Sequence, residues 1–120
     1  MKRSRPRRQR RSANAAAGRK ADALWSAIVR RPGRCEICGS TERIQAAHGF
    51  SRRYRGTRWL LINGFCLCSG CHVSFTHNPI GWDDHLRKAW GQPVYDELRA
   101  LAQAVCKPDF GKILSDLEAA

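Results

Sequence analysis

A chain of 120 residues has room for one small domain, and a hydrophobic content of 42% with a net charge of +12 describes a folded, strongly basic protein. No apolar run approaches the roughly 20 residues of a bilayer span, and none follows the basic N-terminus as it would in a signal peptide. These features exclude a membrane span and point to a soluble, cytoplasmic protein, where six cysteines are better read as metal ligands than as disulfides.

In chain order, residues 1–20 carry nine Lys or Arg and no acid, whereas residues 21–120 carry thirteen against ten acids. The stretch MKRSRPRRQRR has almost nothing to bury, so residues 1–20 are expected as a disordered basic arm and residues 21–120 as the folded domain. Such an arm either docks on phosphates with release of counterions or serves as a solubilising tail. Next, ADALWSAIVRRPG places Leu24, Trp25 and Ile28 on one helical face, ended by Pro32-Gly33. RCEICGSTE reads as a turn-rich knuckle. RIQAAH and RWLLING have strand character and flank the loop GFSRRYRGT. A helix is expected from Ser69 to the Asn78-Pro79 stop. Three more helical stripes follow: Trp82, Leu86 and Trp90; Val94, Leu98, Leu101 and Val105; and Phe110, Ile113, Leu114 and Leu117. These read as core.

Cys35-x-x-Cys38 and Cys68-x-x-Cys71 are two pairs on tight turns, with spacing that lets four thiolates surround one tetrahedral Zn²⁺. Such a closed, four-coordinate ion is structural, and it would supply folding free energy to a domain with little core of its own. Cys66 and Cys106 are expected to be packed rather than ligating. Arg52, Arg53, Arg55 and Arg58 crowd one loop inside a window, residues 43–82, without any acid. They are expected to contact nucleic-acid phosphates.

The combined pattern CEICG, QAAHGFSRRYRGTRWLLING and LCSGCHVSFTHNP resembles the HNH endonucleases of the ββα-metal, or His-Me finger, superfamily, in particular small phage-encoded members with zinc-binding CxxC pairs. The resemblance covers about residues 33–98. It implies an α+β fold with a zinc-stabilised ββα-metal core and flanking helices, and metal-dependent cleavage of DNA. His48 would be the general base, Asn63 would pin the loop or orient His48, and His72 would ligate one catalytic divalent metal (Mn²⁺, Ni²⁺, Co²⁺ or Mg²⁺). His77 would join it only if the helix ended near Thr76. The chain departs from the family's pattern in having Ala47, not a metal-binding residue, before the base. It also implies DNA as partner, other phage proteins as further partners, and a monomer. Two other readings stay open: a non-catalytic zinc-ribbon-like nucleic-acid-binding module, and a phage accessory acting through a protein partner.

Overall fold

The computed structural model describes residues 6–120. Its elements are α1 (Arg7–Val29), β1 (Ile44–His48), a 3-10 turn (Leu61–Asn63), β2 (Gly64–Cys68), α2 (Ser69–Thr76), α3 (Pro79–Trp90), α4 (Gln92–Gln103) and α5 (Phe110–Glu118). This is a compact α+β arrangement in which a single two-stranded antiparallel sheet is covered on both faces. Among the described residues no helix is long and apolar enough to cross a membrane.

Strand alternation divides the core. Ala46 turns toward α1, where Ala21, Trp25 and Val29 pack with Trp59 and, from α5, Leu117. Ala47, Phe65 and Leu67 turn the other way, onto Leu86 of α3 and Tyr95 of α4, with Trp82 and Trp90 at the margin. Asp83, Arg87 and Tyr95 tie α3 to α4: Tyr95 donates to Asp83, Arg87 Nε donates to Asp83 at 2.9 Å, and the Arg87 guanidinium lies 4.2 Å from the Tyr95 ring centre. The shared carboxylate is held below its ordinary pKa, first by the tyrosine hydroxyl and then by the arginine.

Three sequence expectations are corrected. The basic segment is not a disordered arm over its described part, because α1 begins at Arg7; residues 1–5 lie outside the described residues. Once Trp25 and its neighbours anchor α1 in the core, propagation through Ala15, Ala16, Ala17 and the long straight-chain arginines is inexpensive. Residues 6–12 remain exposed. Second, the strand expected in RWLLING starts only at Gly64. Residues 58–63 form turns instead, because Trp59 is anchored to Asp22 and the Leu60 carbonyl accepts from Trp25 Nε1 at 2.9 Å. Gly64 is where the ladder can pass close under α1: a Cβ there would meet Val29 Cγ2 at 2.3 Å. Third, the stripe expected to reach Val105 ends earlier. α4 stops at Gln103, Ala104 is extended on the way to Pro108, Val105 is fully exposed, and Cys106 is exposed rather than core.

Candidate functional site

The sheet register brings the two CxxC pairs together. Ile44 pairs with Cys68 at one end of the ladder and His48 with Gly64 at the other. The turn carrying Cys35 and Cys38 is fastened beside β2 by Glu36, whose backbone N–H donates to the Cys66 carbonyl at 2.9 Å and whose carboxylate accepts from the Cys66 N–H at 2.6 Å. Gly39, at φ 77°, closes that turn with its N–H on the Cys35 carbonyl. Cys66 itself is buried and packed, as expected.

The Sγ atoms of Cys35, Cys38, Cys68 and Cys71 all lie within 4.8 Å of one another, and Cys38 and Cys68 are 3.6 Å apart. An ideal tetrahedron with Zn–S bonds of about 2.3 Å has sulfurs separated by about 3.8 Å. The donor set therefore fits a structural metal such as zinc. Burial pushes the Cys35 thiol up, but backbone N–H groups of Cys38, Cys68 and Ile37 outweigh it and bring the pKa down to about 6. Cys71 is pushed the other way, to about 12, by burial and then by the neighbouring sulfurs. The four sulfurs thus influence one another's protonation, and metal binding would displace the protons that remain.

At the other end of the ladder, His48 is held on one ring face and at one nitrogen. Its ring stacks on Trp25, with centroids 3.9 Å apart and planes at 13°, and its Nε2 lies 3.1 Å from the Arg58 carbonyl. A carbonyl accepts only, so Nε2 carries the proton and Nδ1 keeps a free lone pair. Burial is the main influence holding the ring's pKa down, from 6.5 to about 4, with the Arg52 and Arg58 charges acting in the same direction and the Arg58 carbonyl and Asp22 against it. The imidazole is neutral at pH 7, as a general base must be.

Asn63 is completely buried. Its Oδ1 accepts from the Phe50 N–H at 2.8 Å and its Nδ2 donates to the Phe50 carbonyl at 3.0 Å, while its own carbonyl accepts from Gly49 N–H. The amide therefore acts as a two-sided clamp on the turn that follows His48. Gly49 permits the clamp, since a Cβ there would sit 2.8 Å from Asn63 Oδ1 and from Trp90.

His72, on the first turns of α2, lines a cavity of about 440 Å³ together with His48, Asp22, Trp25, Ser51 and Arg52. Its Nδ1 is 2.7 Å from Gln45 Oε1, an acceptor, which puts the proton on Nδ1 and leaves the Nε2 lone pair without a protein partner. His77 caps the end of α2, which does stop at Thr76, but its side chain is exposed and lines neither cavity at His48. Arg52 lines the cavity. Arg55 and Arg58 lie along an adjoining groove, and Arg53 stands over Tyr54, away from both.

Sequence reasoning missed three contributors. Trp25 was legible only as core; Gln45 carried no signal. Asp22 answers the absence of a carboxylate in residues 43–82: it comes from α1 into the cavity, where it accepts from Arg58 Nε at 3.1 Å and Nη2 at 2.6 Å, and from Trp59 Nε1 at 2.9 Å. Those bonds occupy its oxygens. Among the described residues, the four cysteines form the one group of three or more closely spaced metal-ligating side chains. His48 and His72 therefore each bring one unpaired imidazole nitrogen to residues lining the same cavity, and neither belongs to a closed protein ligand set. Comparison of the chain with protein-family models, curated proteins and solved structures finds no match.

Proposed function

We propose that this chain is a metal-dependent endonuclease of the HNH type, hydrolysing DNA phosphodiester bonds at the His48–His72 cavity on a zinc-stabilised ββα-metal core. The observation that carries the reading is the division of labour around one cavity: a neutral His48 with Nδ1 free, a His72 with Nε2 free, and an Asn63 clamp on the loop between the strands.

In this reading His48 Nδ1 takes a proton from the attacking water, and the Arg58 carbonyl and Trp25 hold the ring so that no reorientation precedes the transfer. The resulting imidazolium donates Nε2–H to a carbonyl already in place. Arg52, exposed beside the cavity and 3.8 Å from Asp22, is positioned to meet a phosphate oxygen. His72 Nε2 would hold a divalent cation, and such an ion would supply charge stabilisation to the scissile phosphate and the leaving oxygen. The test is incubation of zinc-loaded protein with supercoiled plasmid, with and without added divalent metal. Metal-dependent nicking is expected; no nicking with Mn²⁺, Ni²⁺, Co²⁺ or Mg²⁺ would leave the zinc-ribbon-like binding module as the better account.

A further inference from the structure

Beside the His48 cavity runs a larger groove, of about 670 Å³, whose walls come from α1, the loop between the strands and the α4–α5 linker. It is lined by Arg11, Arg19, Arg52, Arg55, Arg58 and Lys107, with Asp22 as the one carboxylate. Asp22 is committed to Arg58 by two hydrogen bonds. Arg52 is only loosely paired, at 3.8 Å, with its side chain 67% exposed. Among the described residues, no side chain pairs with Arg11, Arg19, Arg55 or Lys107. The groove and the His48 cavity share Asp22 and Arg52 as lining residues, so the two adjoin.

Solvated cations ordinarily spread over convex helix faces. Here they converge across a concavity from three separate parts of the chain, which focuses positive potential and is favourable only when a polyanion enters. We propose that this groove is the track for one strand of a DNA duplex flanking the cut, with Arg11, Arg19 and Lys107 as its distal phosphate contacts. The proposal rests on the nuclease reading of the adjoining cavity and specifies where its substrate lies. Length supports it. Arg11 precedes Asp22 by eleven residues on α1, about 16 Å at 1.5 Å per residue, which is long enough to meet more than one successive phosphate of a strand. The substrate is therefore gripped asymmetrically, to one side of the scissile bond.

The test measures binding of a fluorescein-labelled DNA duplex by anisotropy over a salt series, in a His48→Ala background so that the probe stays intact. Arg11→Ala, Arg19→Ala and Lys107→Ala together are expected to make the slope of log K against log salt shallower by about 3, at about 0.9 per phosphate contact. Lys107→Ala alone should reduce it by about 1. Alanine keeps α1 helical, and circular dichroism with zinc content verifies the fold of each variant. Arg30→Ala, Lys88→Ala and Arg99→Ala together, which remove the same charge away from the groove, should leave the slope nearly unchanged. An unchanged slope in the groove variants, or an equal loss in the control, overturns the proposal. Nicking by the chain with His48 intact is scored separately, so a groove-dependent slope without nicking refutes the nuclease reading while retaining the groove.

Discussion

His48 and Trp25 lie face to face, 3.9 Å apart at 13°, so the helix that carries the basic N-terminal segment also forms one wall of the candidate catalytic base. With the Arg58 carbonyl on Nε2, two of the ring's degrees of freedom are removed before any substrate arrives. The tautomer follows from this arrangement and is open to measurement.

Because the folded-state pKa of His48 is about 4 against 6.5 in the unfolded chain, the neutral ring contributes stability that is fully present above about 6.5 and lost as pH falls toward 4. Imidazole NMR shifts of zinc-loaded protein should report the Nε2–H tautomer and no protonation of His48 between pH 8 and 5. A titration midpoint near 6.5 would contradict the stacked, half-buried geometry.

His48→Ala should cut plasmid nicking by about 10²- to 10⁴-fold while zinc content and DNA affinity remain close to wild type. His72→Ala should also inactivate, with partial rescue at high metal concentration. Since imidazole and substrate oxygens would hold the ion, Mn²⁺, Ni²⁺ or Co²⁺ should support faster nicking than Mg²⁺. Rates at matched DNA occupancy decide this, and equal rates for the three proteins would remove both histidines from the chemistry.

Cys35→Ser or Cys68→Ser should release zinc and unfold the domain, because tetrathiolate binding of zinc in small domains is worth about 10–16 kcal/mol. Elemental analysis and thermal denaturation test the pair. Wild-type protein that retains no metal after dialysis, yet melts cooperatively, would show that the sulfur cluster is not the staple.

Asn63→Asp separates shape from hydrogen bonding. The carboxylate is isosteric and can still accept from the Phe50 N–H, but it cannot donate to the Phe50 carbonyl and it introduces charge into a fully buried position. A loss of about 2–4 kcal/mol in urea unfolding is expected. A neutral effect would mean that the clamp is not what orders the turn after His48.

The parts of the fold legible in the sequence were those that local chemistry specifies. The CxxC spacing located the sulfur cluster and Asn78-Pro79 the stop after α2, while His48 and His72, singled out by the resemblance, line one cavity that does not include Asn63. What failed to show depended on contacts between distant segments. Residues 7–20 have the composition of a disordered tail, and only the burial of Ala21, Trp25 and Val29 makes them a helix. RWLLING has the apolar content of a strand, yet side-chain bonds to Asp22 and from Trp25, more than 30 residues upstream, hold it in turns. Cys106 sits in a helical pattern that Pro108 and the Asp109 cap of α5 interrupt. Asp22 was invisible as a site residue because its role exists only once α1 lies against the loop.

The five-rung ladder from Ile44–Cys68 to His48–Gly64 also works as a ruler. A ribbon of two strands is marginal by itself, and here one end is pinned by the sulfur cluster and the other by the Asn63 amide. Side chains alternate between faces with a period of two, so losing one residue from β1 would turn the imidazole from the Trp25 side to the opposite side. A single deletion within the ten residues of the two strands would thus leave every one of these side chains present but turn the candidate base the wrong way.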